Sequence, residues 1–244
     1  MRKFYVLASI AALIASFASV NAQGLFGFRH LKLDGVQVAW NAWTGEAKPA
    51  HVTYAFARSR IETPNAINCG AIGPIDPILN RSNLAGEAFR KEVRAAFDLW
   101  ESVIDITFTE TDDPERAGIL IGAQLEPTGW AFANVSYKPG QGHARSIERS
   151  LICLNPEQRW KIGFDGNLAV YDIRYTTAHE IGHAIGLDHP GAPGQVMHHR
   201  YDERFRTLQA GDIQGAALLY GLRTPPHDGK QQPETAVATA TARE

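Results

Sequence analysis

The apolar positions of the chain fall into two rhythms. His51-Val52-Thr53-Tyr54-Ala55-Phe56-Ala57 alternates with period two and predicts a strand. Phe89, Val93, Ala96, Phe97, Trp100 and Val103 recur at steps of three and four and predict a helix. Ile104 to Thr109, Ile119 to Ala123, Trp130 to Tyr137 and Ser150 to Leu154 read as further strands. A second helix is predicted after Asp172, a suitable N-cap, because Ile173, Thr177, Ile181 and Ala184 follow at helical spacing. Leu208 to Tyr220 reads as the last helix, with Gly221 as its stop signal. Leu31 to Trp43 is a short aromatic lead-in that packs on the domain, and Arg58 to Ser82, with its Pro, Asn and Gly, reads as a long loop. Strand, helix, strand, strand in that order implies an α+β fold around a mixed sheet with at least one crossover connection.

The two ends read differently from the middle. Arg2 and Lys3 precede an apolar run from Phe4 to Val20, and Val20-Asn21-Ala22 offers small residues for cleavage, so residues 1–22 read as a signal peptide. Ser9, Ser16 and Ser19 interrupt that run, which argues against a retained membrane anchor. The expectation is a secreted or periplasmic protein with one catalytic-sized domain over residues 23–222, acting as a monomer. Residues 223–244, rich in Pro, Gln, Thr and Ala, read as a disordered tail. A net charge of −2 with scattered Lys and Arg gives no footprint for nucleic acid. The chain has two cysteines, Cys69 and Cys153. In an exported protein an even count favours a disulfide, with free thiols or a latency cysteine as the alternatives.

The chemistry concentrates in Thr177-Ala178-His179-Glu180-Ile181-Gly182-His183-Ala184-Ile185-Gly186-Leu187-Asp188-His189. Residues four apart share one face of a helix, so His179 and His183 can aim at one point. Gly186 tolerates the backbone that ends a helix and turns the chain, returning His189 as a third nitrogen ligand. Three protein nitrogens with one open position suit catalytic zinc. Glu180, beside them, is placed to take a proton from activated water. The bland reading is a polar helix with solvated histidines. All five fixed letters of HExxHxxGxxH falling together in a chain with nine histidines argues against it.

With those residues in view the chain resembles a metzincin metallopeptidase, most closely a bacterial matrixin. Val196-Met197, eight residues past His189, resembles the family's methionine turn. Leu208 to Gly221 resembles its closing helix, and Ala95 to Trp100 followed by Ile106 to Glu110 resembles its first helix and second strand. The resemblance implies a twisted, mixed, mostly parallel sheet with two helices, then a small C-terminal subdomain with one helix. It implies one catalytic zinc on His179, His183 and His189, Glu180 as general base, and Met197 as a floor beneath the metal. A plain core methionine is nearly the same claim. Trp130 to Val135 resembles the cleft-edge strand that pairs with an extended peptide or protein substrate, so Trp130 and Ala131 are candidate substrate contacts. An ordinary sheet edge is the competing reading.

Departures from the family pattern carry their own expectations. Pro190 resembles the serralysin branch, whereas the short methionine-turn spacing does not. Trp130 and Cys153 stand where two histidines of a structural zinc site would fall, and Leu154-Asn155-Pro156-Glu157-Gln158 replaces an acidic calcium run. Neither structural zinc nor structural calcium is therefore expected. Asn68-Cys69-Gly70 resembles the latency motif but follows the first strand. His199 and Tyr201 would wall the pocket for the residue after the scissile bond, with His199 as a fifth zinc ligand the weaker alternative. The rival function is a secreted zinc-bearing binding protein without turnover. Glu180 argues against it, since ligand geometry alone does not require that carboxylate.

Overall fold

The computed structural model describes residues 27–41 and 45–224. The predicted signal peptide, Trp43 of the lead-in segment and residues 225–244 of the predicted tail lie outside the described residues. Strands β1 (Arg29–His30), β2 (Lys32–Leu33) and β3 (Val36–Ala39) come first, then β4 (Ala50–Phe56), β5 (Ile61–Glu62) and β6 (Ala71–Gly73). Helices α1 (Asp76–Ser82) and α2 (Gly86–Glu101) lead to β7 (Ile106–Glu110), β8 (Ile119–Gln124), β9 (Ala131–Tyr137) and β10 (Ala144–Leu154). Strands β11 (Trp160–Lys161) and β12 (Tyr171–Asp172) precede α3 (Ile173–Ala184), and β13 (Leu187–Asp188) and α4 (Ala210–Tyr220) close the order.

The central sheet runs β7-β4-β8-β10, every neighbour parallel. β9 adds to β10 antiparallel as an edge strand, so the sheet is mixed and mostly parallel, as expected. β4 and β7 pair directly although α2 lies between them in sequence, which makes α2 the crossover. Buried parallel strands have no solvent face, and β8 accordingly is buried at all its residues, Ile119 to Gln124. Phe89, Val93, Ala96, Phe97 and Trp100 turn α2 onto this sheet, and all five are buried. The indole N–H of Trp100 then donates to the Ala178 carbonyl at 2.9 Å, tying α2 to α3. Ser150 on β10 donates to the Ala184 carbonyl at 3.1 Å and fixes the other end of α3.

Four features differ from the sequence reading. The stretch Arg58 to Ser82 holds the β5–β6 hairpin, which joins the sheet through β8, and the extra helix α1. Pro77 in the first turn of α1 and Asn83 at its C-cap, with φ 52°, mark that short helix. The lead-in segment does not merely pack on the domain: β3 pairs parallel with the first residues of β10 and β1 pairs with β13. Residue 223 is docked, the Arg223 N–H donating to Val103 O at 3.0 Å, so the ordered chain passes the expected tail boundary. Finally, α3 is buried beyond its stripe of Ile173, Thr177, Ile181 and Ala184, because β9 and the methionine turn pack on it beside the cleft that His179 and His183 line.

Candidate metal centre

Asp172 caps α3, its carboxylate accepting the Tyr175 N–H at 2.8 Å, as its position predicts. From that helix His179 and His183 project together, and Gly186, at φ 102°, turns the chain so that His189 returns to them. A Cβ at Gly186 would lie 2.3 Å from the Val38 carbonyl oxygen, so β3 packs where only glycine fits. The three Nε2 atoms form a nearly equilateral triangle: 3.2 Å from His179 to His183, 3.0 Å from His179 to His189, and 3.1 Å from His183 to His189. Three nitrogens at about 2.0–2.1 Å from a tetrahedral zinc stand about 3.3 Å apart, so the triangle fits that ion.

The other ring nitrogens decide the protonation. His179 Nδ1 lies 2.7 Å from Val196 O, and His183 Nδ1 lies 2.8 Å from Leu187 O. A carbonyl can only accept, so each Nδ1 carries the proton and each Nε2 presents a lone pair. Two lone pairs thus face each other at 3.2 Å with no proton between them, an arrangement that a cation relieves. Burial also disfavours protonated rings, lowering His179 well below the usual range and His183 to about 4, with His189 lowered as well. Among the described residues this is the one group of three or more His, Cys, Asp or Glu with ligand atoms so close.

Glu180 is buried beside the triad, and burial pushes its carboxyl up to about 8 while the Ala133 N–H on β9 works the other way. All four residues line one cleft of about 760 Å³, bounded on one side by β9. One end of this cleft is aromatic. Trp130 stacks on Tyr171 with centroids 3.9 Å apart, and Tyr171 stacks on Tyr201 at 4.4 Å. Tyr201 is held in turn by its hydroxyl, which accepts the Asp172 N–H at 3.0 Å and donates to Glu203 at 2.8 Å. Trp130, Ala131, His199 and Tyr201 all line the cleft. His199 sits beside His189, ring centroids 6.2 Å apart, but outside the triangle of Nε2 atoms.

Met197 packs beneath α3 against Gly182, and Asp212 on α4 fixes the turn that carries it. The Asp212 carboxylate accepts the N–H groups of Val196 at 3.0 Å, Met197 at 3.1 Å and Gln209 at 2.8 Å. Burial raises the Asp212 carboxyl and those three donors oppose the rise. Cys69 and Cys153 are bonded to each other, with Cα atoms 6.4 Å apart, and neither joins the triad.

Sequence reading passed over Gly182, Asp212, Tyr171 and Tyr175, the last of which lines the cleft edge-on to Tyr201 with centroids 4.8 Å apart. Gly182 had a signal, since glycine inside a helix costs about 1 kcal/mol relative to alanine and asks for a packing reason. Tyr171 and Tyr175 had none, because their partners are distant in sequence.

A sequence model of the family described as Matrixin, Peptidase M10, matches residues 77–221, more than half of the chain. The chain is 29% identical over 193 residues to Metalloendoproteinase 4-MMP of Arabidopsis thaliana, covering 73% of this chain and 48% of that protein. It is 28% identical over 170 residues to Stromelysin-2 of Rattus norvegicus, covering 64% and 33%. Against Matrix metalloproteinase-19 of Homo sapiens it is 27% identical over 163 residues, covering 65% and 31%. The chain thus spans less than half the length of these curated relatives. With the triad geometry and the match over residues 77–221 agreeing, the chain belongs to the matrixin family.

Proposed function

We propose that this protein is an exported, zinc-dependent endopeptidase whose substrates are peptides or proteins. The observation that carries this reading is the triangle of inward-facing Nε2 atoms in one cleft with Glu180. His179, His183 and His189 would hold the zinc ion, which would supply a Lewis acid for the scissile carbonyl and a positive charge favouring the ionised Glu180 carboxylate. Glu180 takes a proton from the attacking water and delivers it to the leaving amine. An extended peptide lies along the free edge of β9, its backbone adding as a strand, with Trp130 and Ala131 in contact. The side chain after the scissile bond enters the aromatic end of the cleft, walled by Tyr201 and by His199. Export follows from the signal-peptide pattern of residues 1–22, and Met197 supports the floor of the site.

Glu180→Gln separates turnover from metal binding. It is expected to keep zinc content near normal while lowering peptide hydrolysis by about 10²–10⁴-fold, the range for loss of a general base. Full turnover by that variant, measured on a mixed peptide library with zinc quantified in the same sample, would overturn the assignment. A wild-type chain that binds zinc yet cleaves nothing would favour the binding-protein alternative.

A further inference from the structure

The cleft continues past the triad to a wall that does not come from the zinc helix or the methionine turn. Residues Thr63 to Asn68, between β5 and β6, line it. Three sets of contacts hold this loop. The Asn134 side-chain oxygen on β9 accepts the N–H groups of Ile67 at 3.0 Å and Asn68 at 3.3 Å. Within the loop, Ala66 N–H donates to Thr63 O at 2.9 Å and Thr63 N–H to Gly70 O at 2.8 Å. At its end Cys69 is bonded to Cys153 on β10. Cys69 and Cys153 are buried with Ile72, Leu120 and Leu151 in a second, smaller core. Along β10, Leu151 and Cys153 alternate with Ile152 and Leu154 of the main core, so the loop lies on the sheet face opposite α3.

At the tip of this pinned loop Ile67 is 89% exposed. A single exposed aliphatic is ordinary on a protein surface. Ile67 differs because it lines the same cavity as the triad, on a backbone that is already fixed. A rigid apolar wall binds without paying to order itself. A peptide along the edge of β9 turns alternate side chains to opposite faces. If the residue after the scissile bond enters the pocket on the α3 side, the first and third residues before that bond face the loop.

We propose that loop 63–68 is a substrate-selecting wall, in which Ile67 receives an aliphatic side chain upstream of the scissile bond and the Cys69–Cys153 bridge keeps the wall in place. This rests on the peptidase reading above. The test uses the mature, oxidised chain and peptides that differ only at the first or third position before the cleaved bond, leucine against aspartate. Wild type should prefer leucine at one of these positions. In Ile67→Ser the ratio of kcat/KM values should fall about tenfold, the scale of a lost apolar contact, with preference after the bond unchanged. Ile67→Val should keep the ratio. The double variant Cys69→Ser/Cys153→Ser should lower it as Ile67→Ser does. Cleavage with an unchanged ratio in Ile67→Ser overturns the wall alone, and because that side chain is exposed the result does not depend on refolding. A wild-type chain that cleaves no peptide overturns the peptidase reading and the wall with it.

Discussion

The sulfur of Met197 lies 2.1 Å from the point that a Cβ on Gly182 would occupy, and its methyl lies 2.9 Å from that point. The two residues are therefore one packing unit, and Trp100, 3.0 Å from the same point, closes it from α2. Gly182→Ala sets two effects against each other. Helix propensity favours alanine by about 1 kcal/mol. Overpacking a filled core costs about 1–3 kcal/mol, and Met197 and Trp100 are both buried. The expected outcome is net destabilisation in chemical denaturation, with weaker zinc retention as Met197 is displaced. A variant more stable than wild type with unchanged zinc affinity would show that Met197 has free room.

Asp212 links the last helix to the methionine turn. Asp212→Asn keeps one accepting oxygen and adds an amide with two protons that the three surrounding N–H groups cannot receive. Leaving buried donors unpaired costs about 1–3 kcal/mol each, so a loss of about 2–4 kcal/mol is expected. Denaturant midpoints at unchanged m-value measure it. A loss below about 0.5 kcal/mol, the level of an ordinary surface change, would remove Asp212 from this role.

Zinc bound to the native triad and not to the unfolded chain stabilises by mass action, about 2.7 kcal/mol at a hundredfold excess over its dissociation constant. Chelation of the wild-type protein should lower Tm, and added zinc should restore it. His183→Ala should abolish the response to both treatments, since it removes one corner of the triangle. A persistent zinc-dependent shift in that variant would locate the metal elsewhere.

Glu203 supplies a pH dependence with a definite sign. Burial works to raise its carboxyl, but Lys161 at 2.5 Å, the Gly166 N–H at 2.7 Å and the Tyr201 hydroxyl together hold it below the ordinary 4.5. A carboxyl with a depressed folded-state pKa contributes stability that is fully present above 4.5 and is lost as pH falls below it. Wild-type stability should therefore drop on acidification through this window more steeply than that of Glu203→Gln. Equal slopes in matched denaturation series would contradict the linkage. The same acidification should loosen Tyr201, which Glu203 anchors.

The histidine triad was legible because its parts are local: two histidines one helical turn apart and a third six residues on. The face of α2 was legible for a similar reason, as its burial follows a single period. The β5–β6 hairpin was not, because strands of two and three residues are too short to show alternation. β3 was hidden in an aromatic lead-in, since its place depends on pairing with β10 across more than a hundred residues. The aromatic end of the cleft joins Trp130, Tyr171 and Tyr201, residues no local pattern connects. Asp212 lies in the first turn of the last helix, and nothing in its sequence neighbourhood reveals that it also holds Met197.

The pairing of β1 with β13 has a bearing on how the protein is made. Arg29 forms an ion pair with Asp188 at 2.7 Å, Leu31 N–H donates to Gly186 O, and Trp40 N–H donates to the hydroxyl of Tyr220. Residues 29–40 thus find their partners only when the chain has been synthesised as far as residues 186–220. Contacts of such long sequence separation slow folding and leave unpaired strand edges exposed in the meantime. The histidine triad is consequently a late product of synthesis: the loop carrying His189 is clamped by β1 and Leu31, and a chain stopped before Tyr220 has no finished clamp to offer.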